Sequence, residues 1–127
     1  MTPREYLDAV KERLIADPIV QHFSLRKERW TVQDGFLRAR LMLVDGSMLE
    51  FGEYVQVTES GDIEVVTYSY HWADENGALR KRWDNTPHFP NLEGFPHHVH
   101  DGATGRVSPS RPMSLFQVLD ILTEALR

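Results

Sequence analysis

The stretch SMLEFGEYVQVTESGDIEVVTYSYHWADENGALRKRWD, residues 47–84, alternates apolar and polar residues in three runs separated by two turn signals. A period of two is the mark of half-buried β-strands. The breaks, Glu59-Ser60-Gly61-Asp62 and Asp74-Glu75-Asn76-Gly77, carry the Gly, Asn and Asp residues that tight turns favour. Upstream, GFLRARLMLV (35–44) joins the first run through Asp45-Gly46, a two-residue hairpin signal. A further strand is expected near 20–31. The pattern predicts an antiparallel meander of about five strands.

Turn lengths set register. Placing Thr58 opposite Ile63 and Ala73 opposite Ala78 sorts the side chains onto two faces. One face collects Leu49, Phe51, Val55, Val57, Val66, Tyr68, Tyr70, Trp72, Leu79 and Trp83 and reads as the core. Glu53, Glu64 and Lys81 fall on it too and are expected at its margins.

Helices are expected at both ends. Over 2–16, Thr2 suits the N-cap, Pro3 the first helical position and Glu5 the capping box, with Tyr6, Leu7, Val10 and Leu14 as an apolar stripe. Asp17-Pro18 ends it. Over 114–127, Ser114 and Gln117 form a second capping box, and Leu115, Val118, Leu119, Leu122 and Leu126 form the buried stripe. Residues 85–112 are rich in Pro, Gly and His without periodicity and read as an irregular segment. The fold class is therefore α+β. One domain spans 1–127, with both helices packed on one face of the sheet.

The chain has 127 residues, 41% hydrophobic and 26% charged, with no cysteine, which excludes disulfides and thiolate metal sites. No apolar run approaches the roughly 20 residues of a membrane span, and the charged start lacks a signal-peptide core, so a cytoplasmic protein is expected. Net charge is −5, which argues against a whole-molecule field for nucleic acid; Arg26, Lys27 and Arg29, and Arg80, Lys81 and Arg82, are local basic clusters.

The second face holds the candidate chemistry. Register places Glu50 opposite His71 and His71 opposite Arg80. The next row is Gly52, Ser69 and Arg82, and the one after it Tyr54, Thr67 and Asp84. Glu and His exchange protons near neutral pH when their surroundings tune them, and Arg stabilises charge developing on a phosphate. The trio suits metal-independent cleavage of an RNA phosphodiester, with Glu50 as base, His71 or a loop histidine such as His88 as acid, Arg80 and Arg82 as clamp, and Tyr54 and Asp84 orienting their neighbours. A charge ladder on a wetted sheet is the plain structural alternative.

His88, His97, His98 and His100, followed by Asp101, offer a second constellation, since imidazoles and a carboxylate at this density can hold a divalent metal. The spacing matches no standard metal motif. Gly-rich phosphate loops, the GxSxG elbow and the dinucleotide fingerprint are all missing.

Taken together, SMLEFGEYV, YSYHWADENGALRKRWDNTPHFP and FPHHVH resemble the TumE-type toxins, a small prokaryotic family, over about residues 20–125. The combination YHW, RWDN-x-PH and FPHHxH carries the likeness. The chain departs from the family pattern at Phe89, where a second histidine is usual, and at Val99, where Lys is frequent. The resemblance implies a toxin encoded beside a helix-turn-helix antitoxin and assigns no catalytic residues. The expectation is thus a toxin acting as a ribonuclease without a cofactor, with RNA as substrate, no membrane association, and a sheet edge open to homodimer formation. The alternatives are a metal-dependent hydrolase built on the His-rich loop and a non-catalytic interaction protein.

Overall fold

The computed structural model describes residues 1–127. Its elements in chain order are α1 (Pro3–Ala16), β1 (Val20–Trp30), β2 (Asp34–Leu43), β3 (Met48–Val57), β4 (Ile63–Ala73), β5 (Leu79–Asp84), β6 (His98–Asp101), β7 (Val107–Pro109) and α2 (Leu115–Ala125). The strands form one antiparallel sheet in the order β1-β2-β3-β4-β5-β6-β7. Five strands stand where the sequence reading expects them, four of them by alternation and β1 by position. The two extra ones, β6 and β7, lie inside the segment expected to be irregular. They are short and contain Pro and His, and the pairing of β6 with β5 and of β7 with β6 organises them more than any local preference does.

Both capping boxes form. Thr2 and Glu5 exchange hydrogen bonds at the start of α1, and Ser114 and Gln117 do so at α2. The helices share one face of the sheet. Leu7, Val10 and Leu14 of α1 and Leu115, Val118, Leu119 and Leu122 of α2 join Leu37, Ala39, Leu41, Leu49, Phe51, Tyr70 and Trp83 in a single core. Each such large apolar side chain stabilises the fold by about 1.5–3 kcal/mol.

The three central hairpins share one device. Leu43, Thr58 and Asp74 each accept a hydrogen bond from the glycine three residues on, and Gly46, Gly61 and Gly77 take φ of 86°, 88° and 86°. These are three-residue loops closed by a left-handed glycine, one residue tighter than expected at Gly61 and Gly77 and one longer at Gly46.

Two bulges then adjust the register. Tyr54 faces Thr67 while Val55 faces Val65, so Val66 is the extra residue on β4. Trp72 faces Lys81 while Ala73 faces Leu79, so Arg80 is the extra residue on β5. The first bulge cancels the shorter loop, and Glu50 stands opposite His71 as expected. The second adds to it, and His71 faces Arg82 rather than Arg80. Val65, not Val66, pairs with Val55 and packs on the core.

Glu53 is also placed differently from the expectation. It lies in the centre of the core face, fully buried. Its carboxylate accepts from Tyr6 Oη (2.7 Å), Tyr70 Oη (2.5 Å) and the Leu115 backbone N–H (2.8 Å). A buried carboxylate needs such partners, and the third of them is an unpaired donor in the first turn of α2. Burial, the largest effect, raises the Glu53 pKa above its ordinary value against the lowering effect of these three donors.

Candidate functional site

Alternation along the strands turns Glu50, Gly52 and Tyr54 of β3 away from the helices, and with them the equivalent residues of the neighbouring strands. Pairing then draws rows across the sheet. The first runs Arg40, Glu50, His71, Arg82, His100 from β2 to β6. The second runs Arg38, Gly52, Ser69, Asp84, His98. A third holds Phe36, Tyr54 and Thr67. Directly opposed residues have Cβ atoms about 4.5–5.5 Å apart.

The rows enclose an open depression of about 590 Å³ lined by Arg38, Glu50, Tyr54, Ser69, His71 and Arg82 among others, with Asn85–Pro87 on its β5 side. Gly52 contributes no side chain to its floor. Glu50 is exposed and His71 partly so. Three guanidinium groups from Arg38, Arg40 and Arg82 share the rows with one exposed carboxylate, which makes a basic region on a chain of net charge −5. Arg38 and Arg40 belong to this face although the sequence reading did not single them out. Alternation along β2 places them there, because Leu37, Ala39 and Leu41 point into the core, whereas the two-residue reading of Asp45-Gly46 puts the strand out of step by one residue.

The remaining expected residues divide. Tyr54 lines the depression and donates from Oη to Asp34 Oδ2 (2.8 Å) while accepting from Gln56 Nε2 (3.0 Å). Arg80, displaced into the bulge, leaves the row. It donates to Asp45 Oδ2 (2.9 Å) and lies over the Trp72 ring at 4.9 Å. His88 is exposed and meets Phe89 edge-on at 6.4 Å, away from the depression.

Asp84 is buried and anchors the β6 side of the site. Its Oδ2 accepts from Arg82 Nε (3.0 Å) and its Oδ1 from the Thr86 N–H (3.1 Å). His98, also buried, places Nε2 2.9 Å from Asp84 Oδ1. His100 Nε2 lies 3.6 Å from Asp84 Oδ2 and 3.1 Å from Arg82 Nη2. Burial first, then the Arg82 charge, lowers the His100 pKa.

His97 and Asp101 stand apart from this group. His97 stacks on Tyr68 (5.8 Å) with Nδ1 2.7 Å from its hydroxyl. Burial lowers the His97 pKa and pushes the Tyr68 hydroxyl up to about 12. Asp101 caps its own turn by accepting from the Ala103 N–H (2.8 Å). The grouping of Asp84 with His98 and His100 could not be read from the sequence, because thirteen residues separate β5 from β6 and no turn rule sets their register.

The family model described as "Toxin TumE" matches residues 10–127. No curated protein and no solved structure matches the chain.

Proposed function

The chain belongs to the TumE toxin family, and from that premise we propose that it acts as a ribonuclease whose reaction takes place on the open face of the sheet. Membership makes it a toxin and implies an antitoxin partner; a helix-turn-helix antitoxin is the form proposed here. No helix is long and apolar enough to cross a membrane.

The observation that carries the proposal is the row Arg40, Glu50, His71, Arg82, in which a carboxylate and an imidazole lie side by side between two guanidinium groups. In this reading Glu50 takes the proton of a ribose 2′-hydroxyl. The 2′-oxygen attacks the adjacent phosphorus, and the bond from phosphorus to the 5′-oxygen breaks. Protonated His71 gives its proton to that leaving oxygen, so the products are a 2′,3′-cyclic phosphate and a 5′-hydroxyl end. Arg82 and Arg40 stabilise the charge on the non-bridging oxygens, and Arg38 extends the cationic surface along the strand of substrate. Tyr54 offers a ring face for a base. Arg80, expected to share the clamp with Arg82, is paired with Asp45 instead, and Arg40 takes its place in this reading.

The test is expression of the chain alone in a bacterial host beside Glu50→Gln and His71→Ala, with protein levels matched. Growth arrest by the wild type, release by both variants, and RNA fragments ending in cyclic phosphate would support the reading. Loss of either acid/base group is expected to slow cleavage by about 10²–10⁴-fold. Unchanged RNA cleavage in both variants would overturn the assignment. Arrest that persists in both without RNA cleavage would favour a toxin acting by binding.

A further inference from the structure

We propose that Asp84, His98 and His100 form a binding site for one divalent transition-metal ion of the zinc type. The three offer one carboxylate oxygen and two imidazole nitrogens whose ligand atoms all lie within 4.8 Å of one another. The site goes beyond the cleavage reading and does not depend on it.

The hydrogen-bond geometry carries the argument. His98 Nδ1 lies 2.9 Å from the Pro96 carbonyl oxygen, which can only accept, so Nδ1 carries the hydrogen. Metal-bound histidines are held by this same kind of backbone contact. When the ring is neutral its lone pair is therefore on Nε2. This atom is buried and has no hydrogen-bond partner, although Asp84 Oδ1 is 2.9 Å away. In that form two electron-rich atoms face each other at close range. A guanidinium can only donate, so His100 Nε2 also presents a lone pair, toward Arg82 Nη2.

Arg82 bridges Asp84 Oδ2 and His100 Nε2 but leaves Asp84 Oδ1 and His98 Nε2 unbridged. A cation at that point would satisfy His98 Nε2 and give Asp84 Oδ1, which already accepts the Thr86 N–H, a second partner. The separations of 2.9 Å from His98 Nε2 to Asp84 Oδ1 and 3.6 Å from His100 Nε2 to Asp84 Oδ2 lie either side of the ligand spacing that metal bonds of about 2.0–2.2 Å give. Two nitrogens with one oxygen favour zinc and its transition-metal neighbours over magnesium or calcium. The Phe89 ring closes the outer side, edge-on to His98 at 5.0 Å and to His100 at 6.0 Å. Coordination would tie β5 to β6 and compete with Arg82 for the ligands it now holds.

The experiment is calorimetric titration of the chelator-treated, dialysed full chain with Zn²⁺, repeated with Co²⁺ to read the visible bands of a tetrahedral site. One equivalent per chain is expected, with a thermal midpoint that rises with zinc. His100→Ala and Asp84→Asn should each weaken binding by more than about tenfold, and His88→Ala should not. His98 is packed tightly enough that His98→Ala can disturb folding, so the partly exposed His100 is the deciding position. Absence of saturable binding, binding unchanged in His100→Ala, or equal loss in His88→Ala would overturn the site.

Discussion

The Glu53 carboxylate accepts the backbone N–H of Leu115 at 2.8 Å, joining the middle of β3 to the first turn of α2 across 62 residues of sequence. The same group takes the hydroxyls of Tyr6 from α1 and Tyr70 from β4. One side chain thus links both helices to the sheet beneath the proposed site.

Replacing it with an apolar residue leaves the Tyr6 hydroxyl and the Leu115 N–H without a partner, and Tyr70 with only the Met113 carbonyl at 3.3 Å. Glu53→Leu is expected to lower stability by about 2–4 kcal/mol, and Glu53→Gln by less, because its carbonyl oxygen still accepts. Urea denaturation monitored at the tryptophans gives both values. Equal losses in the two variants would show that packing, not hydrogen bonding, governs the position.

The same group sets a pH dependence. In the unfolded chain Glu53 ionises near its ordinary value of 4.5, while burial holds the folded value higher. As pH rises past the unfolded value, the unfolded state has released a proton that the native state still holds. The Glu53 contribution to stability therefore falls as pH rises toward the folded pKa and levels off above it. Glu53→Gln removes this contribution. The difference in stability between wild type and variant, followed from pH about 4 to about 8, should move against the wild type.

Arg80 and Arg82 are two residues apart with separate tasks. Arg82→Ala should depress RNA cleavage by about 10²-fold or more. Arg80→Ala removes a partly exposed pair with Asp45 and a contact with Trp72, so about 1 kcal/mol or less of stability is at stake and cleavage should persist. Rates and unfolding midpoints measured on both proteins separate the roles. The reverse order would restore the simpler register in which Arg80 faces His71.

Gly102 and Gly61 separate steric from conformational need. A Cβ at Gly102 would stand 1.7 Å from the Leu79 carbonyl oxygen, so Gly102→Ala must push β6 from β5. The expected loss is about 1–3 kcal/mol, with faster hydrogen exchange at the amides of β6. At Gly61 nothing lies within 4 Å, but φ is 88°. Gly61→Ala should cost about 1–2 kcal/mol from backbone strain alone, with exchange in β6 unchanged.

Much of this architecture was legible in local signals. The capping boxes of Thr2 and Ser114 place both helices, and alternation assigns Tyr68, Tyr70 and Trp72 to the core and His71 to the open face. Glu50 and His71 emerge as partners because a tighter loop and the Val66 bulge offset each other. The Arg80 bulge and the tighter loop at Gly77 together shift β5 by two residues relative to the expected pairing, so the face survives while the partner changes. The Glu53 cluster and the Asp84–His98 contact depend on segments brought together from distant parts of the chain. No periodicity or turn chemistry encodes them.

The two bulges also bear on how this surface can vary between related chains. They lie at either end of the regular stretch of β4 from Thr67 to Trp72. A residue gained or lost beyond them can be absorbed by a loop or a change of bulge. Inside the stretch the same event would exchange inward and outward side chains, sending His71 toward the helices and Trp72 into water. Length variation should therefore collect in the hairpin tips and in 85–97, while the span between the bulges keeps its length even where its residues differ.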